Sequence, residues 1–139
     1  MSTLTIHRNE LTAEEFCMLW KSVWDGCPSP EQVALALKNS AVCVSIRDGA
    51  RTAAMARMIG DLGMCYYIKD VIVHPDYQGR GVGRMLMQEL LAFIRENGVP
   101  GTDIAVELCA VPDKMPFYEK LGFFANEAQR LRQMYRIPE

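Results

Sequence analysis

Three glycines spaced two apart, Gly79, Gly81 and Gly83, stand between a β-branched run and a long amphipathic stretch. The segment 70–84 reads DVIVHPDYQGRGVGR. Val71, Ile72 and Val73 predict a strand, because β-branched side chains suit a pleated, half-buried surface. Across residues 82–97, Leu86, Leu90, Phe93 and Ile94 recur at helical spacing and predict a helix. The loop between them must turn the chain from strand to helix within a few residues, and its glycines free the dihedral angles for that. Such a loop lets several backbone N–H groups converge on one point, and the helix start adds its own unpaired N–H groups and roughly half a positive charge. Together these make a phosphate or pyrophosphate site, to which Arg80 and Arg84 can add cationic contacts. A glycine-rich turn that only links strand to helix satisfies the same spacing.

Two common nucleotide loops fit this segment poorly. A P-loop needs Lys followed by Ser or Thr after its glycines, and neither follows here. A dinucleotide fingerprint starting at Gly79 needs a third glycine at position 84, which is Arg84.

The surrounding pattern predicts a mixed α/β domain. Residues 4–7 read as a short strand. Thr12 with Glu15 three residues on forms a capping box, followed by Phe16, Leu19, Trp20 and Val23 on one helical stripe. Ser29-Pro30 opens a second helix, with Ser29 as N-cap and Gln32 completing the box. Residues 41–47, 50–59 and 64–73 read as an antiparallel meander, its first turn at Asp48-Gly49 with positive φ at both positions. Residues 103–109 alternate Ile104, Val106 and Leu108 against Asp103, Ala105, Glu107 and Cys109 and predict a strand. Residues 113–121 predict a short helix stopped by Gly122, with strands beginning at Phe123 and Leu131. The order β-α-α-β-β-β-α-β-α-β-β implies helices on both faces of one mixed sheet.

Composition narrows the classes of partner. A formal net charge of -2 over 139 residues gives no basic field for nucleic acid. No apolar run approaches the roughly 20 residues that span a bilayer. The first ten residues are polar and lack the apolar region of a signal peptide, which leads to a cytoplasmic expectation without a membrane partner. The five cysteines include no CxxC pair, and His7 and His74 form no ligand pair, so no metal site is expected. Reduced thiols are the expectation.

Two blocks resemble the GNAT superfamily of N-acetyltransferases. Gln78-x-x-Gly81-x-Gly83, following Val-x-Val-His-Pro, is similar to the family's acyl-CoA-binding signature [Q/R]xxGx[G/A] between its fourth strand and third helix. Pro116-Phe117-Tyr118-Glu119-Lys120-Leu121-Gly122-Phe123 resembles its FYEKLGF-type segment. The order of elements above is also the GNAT order, so the resemblance implies a single GNAT domain over residues 1–139.

The resemblance implies acetyl-CoA as co-substrate, with its pyrophosphate on the backbone of Gln78, Gly79, Arg80, Gly81, Val82, Gly83 and Arg84. It implies a pantetheine arm paired along the fourth strand near Val71 and Val73, where the two central strands splay. A backbone N–H at Ile72 or Val73 would polarise the thioester carbonyl, as in an oxyanion hole. Tyr118 corresponds to the family's tyrosine that protonates the departing thiolate. Many members carry an Asn seven residues earlier, where this chain has Val111.

The acceptor amine must lose a proton before it attacks. Asp70, a charge inside an apolar strand, and Glu107 on the fifth strand are both candidates, each equally readable as a structural carboxylate. Trp24 and Tyr67 are candidates for the acceptor pocket. His74 reads as a turn element and Cys109 as a core or wall residue. The expected activity is transfer of acetyl to a primary amine of a small molecule. The alternatives are a non-catalytic acyl-CoA-binding module and a protein or peptide N-acetyltransferase. The family also admits a homodimer.

Overall fold

The computed structural model describes residues 3–125 and 130–139. Its strands are β1 (Leu4–Arg8), β2 (Val42–Asp48), β3 (Arg51–Gly60), β4 (Cys65–Val73), β5 (Asp103–Cys109), β6 (Phe124–Ala125) and β7 (Arg130–Arg136). Its α-helices are α1 (Ala13–Val23), α2 (Pro30–Lys38), α3 (Val82–Asn97) and α4 (Met115–Glu119), with 3₁₀ turns at Pro75–Tyr77 and Pro112–Lys114. The element order is the one the sequence pattern predicts.

Local chemistry explains the helix starts. The Thr12 hydroxyl accepts the Glu15 N–H at 3.1 Å and the Glu15 carboxylate accepts the Thr12 N–H at 3.0 Å, closing the capping box. At α2, Ser29 Oγ accepts the Gln32 N–H at 3.2 Å. No described hydrogen bond returns from the Gln32 side chain, so this cap is only half of the expected box.

The seven strands run β1-β2-β3-β4-β5-β7-β6 in one sheet. The meander β2-β3-β4 is antiparallel, and β4 pairs with β5 in parallel. The first hairpin turn sits one residue later than expected. Asp48 still pairs with Arg51, so the turn residues are Gly49 and Ala50, and only Gly49 has positive φ, at 60°. A positive φ at the first turn position alone is the type II′ pattern, which also matches the strand twist.

Two apolar clusters cover the faces of the sheet. Leu86, Met87, Leu90 and Ile94 of α3 and Tyr118 of α4 pack with Val44, Ala56, Ile68 and Val106 on one face. Phe16 and Leu19 of α1 and Val33 of α2 pack with Met55 and Ile72 on the other. Strands β5, β7 and β6, at one end of the sheet, extend past α1 and α2, so the outward-facing Glu107 and Met134 remain exposed. Among the described residues no helix is long and apolar enough to cross a membrane.

Candidate active site

The site begins with an irregularity in β4. Ile72 pairs with Met55 and Lys69 pairs with Arg57, so two residues of β4, Asp70 and Val71, oppose the single residue Ala56 of β3. This is a β-bulge, which bends the strand and increases its twist. Asp70 adopts a left-handed φ of 55°, a conformation that Asp tolerates better than most side chains. The bulge also shifts which residues face which way. Before it, Tyr66 and Ile68 belong to the α3 face; after it, Ile72 belongs to the α1 face and Val71 and Val73 pack toward α3.

Asp70 is held from across the ladder. Arg57 Nε donates to Asp70 Oδ2 at 2.6 Å, and the two side chains are 16% and 9% exposed. Arg57 Nη1 also reaches Ser40 Oγ at 3.3 Å. The charge in the apolar strand therefore has a cationic partner, which the sequence reading of Asp70 did not identify.

Just before the bulge β4 and β5 part. They pair from Cys65 with Ala105 to Ile68 with Leu108 and no further. A cleft of about 1020 Å³ opens there, with Val71 and Val73 on one wall and Leu108 and Ala110 on the other.

Ladder alternation determines which backbone groups face the cleft. His74 N–H donates to Ala53 O at 2.8 Å, and the register pairs Ile72 with Met55 and Val73 with Ala54. Alternate residues of an antiparallel pair turn their N–H and C=O to the same neighbour. His74 and Ile72 thus face β3, while Val73 faces the cleft. Gln78 Nε2 donates to Val73 O at 2.9 Å, which agrees with that direction. The expectation that Ile72 offers its N–H to a ligand is corrected: that group is turned into the sheet.

The glycine loop closes one end of the cleft. Gly79 and Gly81 have φ of 79° and 78°, and Gly81 is the left-handed N-cap of α3 with no side-chain cap. A Cβ at either would meet nothing within 4 Å, so glycine is required there by backbone conformation and not by space. The first helical bond runs from Met85 N–H to Gly81 O. Among the described residues nothing accepts from the six N–H groups of residues 79–84. Six unpaired donors at the positive end of a 16-residue helix form an anion cradle. The loop is fixed from behind. The Tyr77 hydroxyl donates to Asp48 Oδ2 at 2.6 Å, and the Arg51 and Arg80 guanidinium groups lie 5.1 and 5.3 Å from the Tyr77 ring centre. His74 Nδ1 accepts the Asp76 N–H at 3.1 Å, which is the turn role expected of it.

Gly81→Val tests this cradle. A β-branched residue at that φ carries a strain of roughly 1–3 kcal/mol, relieved only by moving the loop backbone. Acetyl-CoA affinity, measured by titration calorimetry, is expected to fall at least about tenfold, since displaced donors lose their charge-assisted bonds. Affinity within a factor of about two of the parent would dissociate the loop conformation from binding.

Tyr118 lines the opposite wall. Its ring packs on Phe117 and Phe123, with centroids at 5.0 and 6.2 Å. Burial pushes its phenol up to about 12, and no described hydrogen bond engages the hydroxyl. Phe117 also abuts Gly83, where a Cβ would lie 3.3 Å from the ring. That contact links α4 to the start of α3.

The remaining candidates divide. Asp70, Tyr67 and Trp24 all line the cleft. Trp24 is 45% exposed and meets Trp20 edge-on at 4.8 Å, and Lys69 Nζ lies 5.6 Å from the Tyr67 ring centre. Glu107 does not line the cleft. It pairs in register with Tyr67, where β4 and β5 are still joined, and its carboxylate lies 3.9 Å from Arg132 Nε. Cys109 is an exposed wall residue. Arg80 is not among the lining residues, whereas Arg84 is. Sequence reasoning missed Arg57, Lys114 and Lys120. An unexplained Asp in an apolar strand was the one available signal for Arg57.

Comparison with known proteins identifies relatives of the chain. The profile of the Acetyltransferase (GNAT) family matches residues 9–123. The uncharacterized N-acetyltransferase ycf52 of Porphyra purpurea is 35% identical over 100 residues, 69% of this chain and 55% of that protein. Serotonin N-acetyltransferase 2, chloroplastic, of Oryza sativa subsp. japonica is 38% identical over 109 residues, 75% of this chain and 52% of that protein. The chain thus spans about half the length of these curated relatives. The crystal structure of a probable acetyltransferase from meticillin-resistant Staphylococcus aureus superposes with a TM-score of 0.81 at 27% identity, covering 90% of this chain and 92% of that one.

Proposed function

The chain belongs to the acetyltransferase (GNAT) family, and on that premise we propose that it moves an acetyl group from acetyl-CoA to the primary amine of a small molecule. The observation that carries this reading is the cleft between the parted strands β4 and β5, with six unpaired N–H groups at one end and the N–H group of Val73 on its wall. The residues fit such a ligand: a cradle for a pyrophosphate, an extended strand edge for an amide-bearing arm, and a buried phenol beyond it.

Bound acetyl-CoA supplies an activated acyl group. The backbone N–H of Val73 stabilises the negative charge that develops on the acyl oxygen. Tyr118 donates a hydrogen bond to the departing sulfur. Asp70 receives the acceptor amine through Oδ1, since Oδ2 is committed to Arg57, and the amine's proton passes to solvent water. Trp24 and Tyr67 flank the acceptor. Glu107 has no part in this reading, because it lies outside the cleft.

Acetyl-CoA at about 100 times its Kd is expected to raise the melting temperature by roughly 5–10 °C, because a ligand that binds only the folded state stabilises it. An unmoved melting curve at saturating acetyl-CoA removes the reading at its first step. A panel of small primary amines, followed by release of free thiol, is then expected to give turnover. Thiol release only with peptides would transfer the acceptor to the protein class, and release with neither would leave a binding module.

A further inference from the structure

The cations around the cleft fall into two groups, those set against an aromatic ring, among them Lys69 over Tyr67, and those that are not. Arg51 and Arg80 are committed to the Tyr77 ring, and Arg51 also pairs with Asp76 at 2.8 Å. Arg84, Lys114 and Lys120 are different. All three are exposed and line the same cleft, and among the described residues none has an ion-pair partner. They come from separate pieces of chain: Arg84 from the first turn of α3, Lys114 from the 3₁₀ turn after β5, and Lys120 from the end of α4. Asp113 is the acidic residue that lines the cleft beside them. In a chain of net charge -2 this is a local excess of positive charge around the anion cradle.

The cradle and the cations suit different anions. Fixed backbone donors at a helix start match a diphosphate held close to the main chain. Lysines on long flexible stems match a compact phosphate monoester further out, which carries about -1.5 to -2 charge at pH 7. Coenzyme A carries both, a pyrophosphate and a monoester on the ribose. We infer that Arg84, Lys114 and Lys120 grip that ribose monoester, so that this protein distinguishes coenzyme A from its dephospho form. The inference rests on the acyl-CoA reading above and adds a specificity device to it.

The test is binding, not turnover. Titration calorimetry with coenzyme A and with dephospho-coenzyme A is run on the parent and on the Lys114→Gln/Lys120→Gln double variant, at low and high salt. The parent is expected to bind coenzyme A about tenfold more tightly than the dephospho form, a modest ratio because exposed cations are screened. That preference is expected to shrink with added salt. The double variant is expected to bring the two affinities within about threefold, by weakening coenzyme A alone, since the remaining Arg84 is a single exposed charge. Equal affinities in the parent overturn the inference and leave the acyl-CoA reading intact. A preference that survives in the double variant also overturns it. Failure of both ligands to bind the parent removes the acyl-CoA reading itself, and this inference with it.

Discussion

Tyr118→Phe is expected to lower kcat by roughly a hundredfold, at the low end of what a positioned acid contributes, while acetyl-CoA affinity changes by less than about threefold. The low end applies because of acidity. Burial holds the phenol at about 12, well above a thiol at roughly 8.5. A proton passing from Tyr118 to a thiolate therefore moves uphill, and the hydroxyl acts chiefly by donating a hydrogen bond to sulfur as charge develops there. Stability separates this role from a packing role. The ring stays against Phe117 and Phe123 in the variant, and the hydroxyl that disappears had no described partner to lose. The melting temperature is therefore expected to hold or rise slightly. Because Tyr118 stays protonated well beyond pH 10, the parent rate is expected to climb on the alkaline side as the acceptor amine deprotonates, with no loss traceable to the phenol. Unchanged kcat in the variant would remove Tyr118 from the chemistry.

What the sequence disclosed and what it hid divide by range. Helix α3 and strand β5 fall on the residues their periodicities mark, 82–97 and 103–109. Apolar spacing and helix stops are local, so they can be read along the chain. The loop was legible for the same reason, since glycines between a strand and a helix leave few backbone paths. The bulge at Asp70 was not legible, because it exists only in the register between β3 and β4. The direction of the Ile72 N–H followed from that register, and so did the identity of Arg57 as partner of Asp70. Glu107 illustrates the same limit. Its outward face was correct, but the point where β4 leaves β5 lies just past Leu108, and no pattern within either strand marks it. Lys114 and Lys120 meet the glycine loop only through the fold.

Arg57→Met is expected to cost the fold roughly 3–5 kcal/mol, the range for stripping one partner from a buried ion pair, and so to lower the melting temperature by about 10 °C or more. The Asp70 carboxylate is only 9% exposed and would be left without its guanidinium. It also sits at a left-handed φ inside the bulge, so the strand that carries Val71 and Val73 depends on that contact. Asp70→Asn is expected to cost less, since Asn tolerates the same backbone conformation and its amide oxygen can still accept from Arg57. Combining the two changes should recover part of the loss, because neither charge is then stranded. Kinetics on the stable Asp70→Asn protein then separate the roles of the carboxylate. A rise in KM for the amine acceptor with acetyl-CoA affinity unchanged assigns Asp70 to acceptor binding. Weakened acetyl-CoA binding instead assigns it to the shape of the strand, because the cleft opens at its bulge. An Arg57→Met protein that melts within about 2 °C of the parent, a change worth under 1 kcal/mol, would mean that the bulge holds without its ion pair.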